Sequence, residues 1–86
     1  MVICTMMDIT EAYDVLHNYF SEEALRHIYQ QEKFDGSISD SIEELKFNAK
    51  LLRQETHNVK DEKEIKRMRE ASKVFEDTSK ADFWRN

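Results

Sequence analysis

The sequence predicts an all-α fold, a small bundle of about four helices that forms one domain over residues 1–86. Three observations predict it. There is no proline and a single glycine, Gly36, so only one position invites a helix to break. Apolar residues recur at three- and four-residue spacing in four separate stretches, the period at which side chains share one face of a helix. Each stretch is preceded by Asp or Ser, whose short side chains accept hydrogen bonds from the exposed amides of a helix start.

The first helix is expected to begin at Asp8-Ile9-Thr10-Glu11, which has the spacing of a capping box, and to carry Ile9, Ala12, Tyr13, Leu16, Tyr19 and Phe20 on one face. Ser21-Glu22-Glu23 is a second start signal, with a cap and two acids in the first turn. The helix it opens, striped by Ala24, Leu25, Ile28 and Tyr29, either follows a kink or continues the first. Phe34-Asp35-Gly36-Ser37-Ile38-Ser39 is the clear interruption, because Gly accepts positive φ and Asp and Ser hydrogen-bond their own backbone. The chain is expected to turn near Asp35-Gly36. Asp40, or Ser41 with Glu44, then caps a helix faced by Ile42, Leu45, Ala49 and Leu52 that runs to about Glu55. After a polar break at Thr56-His57-Asn58-Val59, Asp61-Glu62 opens a narrow-faced helix with Ile65, Met68, Ser72 and Phe75 at heptad-like spacing. Glu62 and Lys66 form an i, i+4 pair on its outer surface. Residues 1–7 are expected to be a disordered N-terminal tail, with Met6 and Met7 as alternative starts to Met1, and Ser79 to Trp84 to add one short terminal turn.

A chain of 86 residues with 40% hydrophobic content builds a thin core. Its expected net stability is only about 3–5 kcal/mol, so a partner or self-association would help hold it together. The lone Cys4 cannot form an internal disulfide, which points to a reducing cytoplasm. Val2 to Met7 is too short for a signal-peptide core or a membrane span. Charge is uneven. Residues 1–32 hold one base, Arg26, against six acids, whereas residues 60–86 hold eight bases against seven acids, so the N-terminal helices carry most of the net charge of −5.

The motifs that would signal chemistry are incomplete. Asp35-Gly36-Ser37-Ile38-Ser39 copies the middle of a calcium-binding EF-hand loop, but the register places Gln31 and Lys33 where the first carboxylates belong and Ile42 where the bidentate Glu belongs. A helix-turn-helix centred on the same turn would present Asp40, Glu43 and Glu44 to phosphates, and the basic run Lys60, Lys63, Lys66, Arg67, Arg69 and Lys73 is interleaved with Asp61, Glu62, Glu64 and Glu70. Nucleic acid is therefore not an expected partner. His17, His27 and His57 have no second His or Cys at metal-ligand spacing. Glu23 and His27 read as a surface pair, and Cys4 as a tail thiol. No catalytic set, metal site or cofactor is expected, and the chain is not expected to be an enzyme.

Aromatic surface remains. Three tyrosines, five phenylalanines and one tryptophan are many large side chains for so small a core, and such groups anchor protein interfaces. The expectation is a small acidic cytoplasmic interaction module that binds and modulates a larger protein carrying a basic patch, as a regulator, inhibitor or adaptor. Asp8, Glu11 and Asp14 would supply the acidic contact, and Phe75, Phe83 and Trp84 the apolar one. Tyr13, Tyr19 and Phe20 are expected in the core; Phe83 and Trp84 either close the bundle or dock. In size and composition alone the chain is similar to small acidic helical accessory proteins such as phage-encoded regulators. The alternatives are a self-associating structural protein, in which the stripe of the last helix pairs with its own copy or with the third helix in a homo-oligomer and Ser72 weakens the seam, and a DNA-binding regulator, which the charge disfavours.

Overall fold

Four α-helices and one 3₁₀ turn make up the fold in the computed structural model, which describes residues 7–34 and 37–80. The first helix, α1 (Ile9–Tyr19), starts where expected: the Asp8 carboxylate accepts from the Glu11 N–H at 2.9 Å and satisfies one of the amides that a helix start leaves open. It ends at Phe20, whose extended backbone (φ −134°, ψ 117°) breaks the spiral. Ser21 then caps α2 (Glu22–Gln31) by accepting from the Ala24 N–H at 3.1 Å. A separate cap directly after an extended residue makes α2 a new helix, not a continuation of α1.

The end of α2 is built by a residue that carries no sequence signal for it. Lys33 lies in the left-handed region (φ 61°), with its N–H donating to the Gln30 carbonyl at 3.1 Å, and Phe34 N–H donates to the Tyr29 carbonyl at 3.2 Å. This is the six-to-one and five-to-two pairing of a Schellman motif, and the apolar contact that accompanies such motifs is here Phe34 against Tyr29, ring centroids 5.9 Å apart. Asp35 and Gly36, the expected turn, lie outside the described residues.

The next helix, α3 (Ile38–Glu55), ends as expected but begins about a turn early. Its cap is Ser37, which accepts from the Asp40 N–H at 3.1 Å, so Asp40 and Ser41 lie within the first turn. Ser37 offers the first hydroxyl after the turn, and nothing between it and Asp40 interrupts helical backbone. Thr56–Asn58 forms a 3₁₀ turn, fastened by the Thr56 hydroxyl donating to the Arg53 carbonyl at 2.6 Å. Asp61 then caps α4 (Glu62–Ser79).

The core lies where α4 packs on α3 and α1. Leu16 from α1, Leu52 from α3, and Met68, Ala71 and Phe75 from α4 have no exposed surface, and Val15 and Leu45 close the sides. Met68, Ser72 and Phe75 of the α4 stripe are therefore consumed inside the chain, while Ile65 is only partly buried. Ser72, at its centre, is buried but satisfied, since its hydroxyl donates to the Met68 carbonyl one turn back at 2.9 Å. Met7, expected in the tail, is buried and packs with this core; residues 1–6 and the expected terminal turn beyond Lys80 lie outside the described residues. Arg53 of α3 and Glu76 of α4 form an ion pair across the outside of the seam. No helix among the described residues is long and apolar enough to cross a membrane.

Of the four helices, α2 approaches the others least. Leu25 is its one buried residue. Tyr29 spans the gap to α3 and leaves a groove beside it.

Candidate functional site

An open groove of about 530 Å³ runs between α1, α2 and the N-terminal half of α3. Local sequence explains each wall. Tyr13 and His17, one turn apart, sit on the flank of α1 beside its apolar stripe, their rings stacked with centroids 6.4 Å apart and planes 26° apart. The Tyr13 ring packs on the buried Phe75 ring in a T-shaped pair, centroids 5.0 Å apart at 82°. Leu25 and Tyr29, also one turn apart, line the α2 side, with Glu22 and Arg26 at the rim. The Schellman turn swings Phe34 into the wall, where its ring meets Tyr29 on one side and Phe47 of α3 on the other, at 6.0 Å and 75°.

Glu44 of α3 enters this aromatic surround. Its side chain is half-buried, and burial pushes its carboxyl above the usual carboxylate range. Its carboxylate has no hydrogen bond or salt bridge to any described residue. The effect spreads to the phenols: burial raises the titration of Tyr29 and Tyr13 above the ordinary tyrosine value, and the negative charge of Glu44 raises both further. The Tyr29 hydroxyl donates to Asn48 Oδ1 at 2.5 Å, which ties the standing-off helix to α3. Asn48 is 0% exposed, and its Nδ2 finds no acceptor among the described residues. Glu44 and Asn48 are one turn apart, so α3 presents a carboxylate and an amide along the flank of its apolar stripe.

Such an arrangement favours positive charge. Ring faces carry negative quadrupole density, and a partly desolvated carboxylate gains more from a cation than one in bulk water. No group of three or more His, Cys, Asp and Glu residues among the described residues is placed to hold a metal ion.

The site residues expected from sequence are distributed differently. Asp8, Glu11 and Asp14 are all exposed, but none lines the groove; Asp8 also caps α1. Phase along the helix puts Glu11 and Asp14 on the solvent face of α1, beyond the Tyr13–His17 flank. Phe75 is corrected: with 0% exposure it supports Tyr13 from the core and offers no surface to a partner. Phe83 and Trp84 lie outside the described residues. The basic residues Lys66, Arg69 and Lys73 share an exposed face of α4 with Glu62, Glu70 and Ile65. Sequence reasoning missed Glu44 as a site residue and placed Tyr29 in a simple stripe. The available signal was a pair of polar residues, Glu44 and Asn48, on the same side of the helix as Leu45, Ala49 and Leu52. Their aromatic surround depends on tertiary placement of α2. No family model, curated protein or solved structure matches the chain.

Proposed function

We propose that this protein is a small interaction module that docks on a basic patch of a larger cytoplasmic protein and modulates it, as a regulator, inhibitor or adaptor. The observation that carries this reading is the half-buried Glu44 carboxylate, which pairs with no described residue, in an aromatic-walled groove. A fold that needed only stability would gain by making this residue neutral, since a partly desolvated charge without a partner costs free energy. A cationic partner removes that cost on binding. The exposed acids of α1 support the reading differently: Asp8, Glu11 and Asp14 add long-range attraction that speeds encounter, while the groove sets how long the complex lasts.

Self-association through the α4 stripe has less support, because Met68, Ser72 and Phe75 are enclosed by the chain's own α1 and α3. The test is capture from lysate of the source organism with tagged protein, run beside light scattering of the purified chain. The comparison variant combines Asp8→Asn, Glu11→Gln and Asp14→Asn; asparagine still caps α1, so fold is preserved while charge is removed. The reading predicts stoichiometric retention of one larger protein with a basic surface, weakened by the triple neutralisation and by salt. A chain that retains no larger protein and forms a defined oligomer would replace it with the structural alternative.

A further inference from the structure

The groove is more selective than a general acidic face. Glu44 is its half-buried carboxylate, and no described group forms a hydrogen bond or salt bridge with it. Tyr29 has committed its hydroxyl proton to Asn48. Of the charged and titratable groups facing it, His17 comes from α1 and Glu22 and Arg26 from α2, and Arg26 forms no salt bridge with Glu44 or with any other described residue. Tyr13, Tyr29 and Phe34 line the same groove, Tyr13 with its ring stacked on His17 and Tyr29 with its ring tilted against Phe34.

We propose that this groove receives the guanidinium of an arginine side chain projecting from the partner protein, stacked on the aromatic walls and hydrogen-bonded to the Glu44 carboxylate. The occupant rests on the docking reading above, and its chemistry follows from the walls. A guanidinium is planar, so it can lie against a ring while its edge donates two parallel hydrogen bonds to a carboxylate. It is also weakly hydrated, so entering a half-buried site costs it less than it costs an ammonium ion. Phosphate-bearing ligands are disfavoured, because Glu22 and Glu44 would repel them.

The experiment is an NMR titration of the full chain with the blocked tripeptide acetyl-Gly-Arg-Gly-amide, beside the same peptide carrying lysine or citrulline in place of arginine. Citrulline keeps the shape and loses the charge. The proposal predicts saturable binding, with the largest shifts at Tyr13, Tyr29 and Phe34, and affinity reduced by roughly tenfold or more for citrulline and for Glu44→Gln. Lysine should bind more weakly than arginine. Phe34→Leu keeps apolar bulk but removes a ring face, and it should weaken arginine more than lysine. Shifts that grow without saturation, that spread over Glu11 and Asp14, or that persist in Glu44→Gln would overturn the proposal. A lysate partner retained equally by Glu44→Gln but lost on neutralising Asp8, Glu11 and Asp14 would overturn the groove and leave the docking reading standing. Failure of the wild-type chain to retain any larger protein would instead defeat the docking reading.

Discussion

At the scale of single residues, two positions hold strain or unmet bonding that mutation can reveal. Lys33 adopts left-handed backbone without being glycine, a conformation that disfavours any residue with a Cβ. Lys33→Gly should therefore raise stability by about 1 kcal/mol, read as an increased denaturation midpoint at unchanged slope. Tyr29 is the second. Removing its hydroxyl leaves Asn48 Oδ1 unpaired beside an Nδ2 that already lacks an acceptor, so Tyr29→Phe should destabilise by about 1–3 kcal/mol at neutral pH. The pH dependence carries the opposite mark. Burial, reinforced by Glu44, raises the Tyr29 phenol, so the folded chain keeps a proton that the unfolded chain releases near pH 10. Stability from this group is complete below that pH and is lost as pH rises above it. Tyr29→Phe should accordingly flatten the alkaline fall in stability, leaving the part that Tyr13 and Tyr19 contribute.

At the scale of elements, most of the architecture was legible because caps and apolar period are local. Asp8, Ser21 and Asp61 each open a helix by accepting from an amide two or three residues ahead, as their spacing predicts. The stripes of α1, α3 and α4 are the buried faces, although Val15 and Ala71 are buried as well. What escaped the sequence was non-local or unmarked. Several hydroxyls compete to cap α3, and Ser37 wins for being first in line. The Schellman turn uses a lysine, which nothing in local chemistry announces. The groove exists because α2 stands away from its neighbours, and no periodicity within α2 encodes that distance. Because α2 buries only Leu25, it should be the first helix to open: native-state hydrogen exchange should show the lowest protection over Glu22–Gln31 and the highest in α4. Uniform protection across all four helices would contradict this placement. The Arg53–Glu76 pair across the α3–α4 seam is half-exposed and should contribute no more than about 1 kcal/mol, with apolar packing beneath it carrying the contact.

At the scale of the whole molecule, the chain spends most of its α4 stripe on its own core and leaves an aromatic-walled groove with a half-buried carboxylate between α1, α2 and α3. Glu44 joins the two properties. Its raised carboxyl means that the folded state favours the neutral form, so whatever stability it contributes is present at acid pH and lost as pH rises through its folded titration. Its ionised form carries a desolvation cost, which in the proposed function a cationic partner would offset. Glu44→Gln should therefore leave the denaturation midpoint at pH 7 unchanged or higher while weakening partner binding, the pattern of a residue retained for function at the expense of stability. The most direct test is to measure both properties on the same variant: the midpoint of Glu44→Gln at pH 7, and its retention of the captured partner relative to wild type. The expected result is a midpoint no lower than wild type with retention reduced by roughly tenfold or more. Equal retention, or a lowered midpoint with retention falling only in proportion to the unfolded fraction, would contradict it.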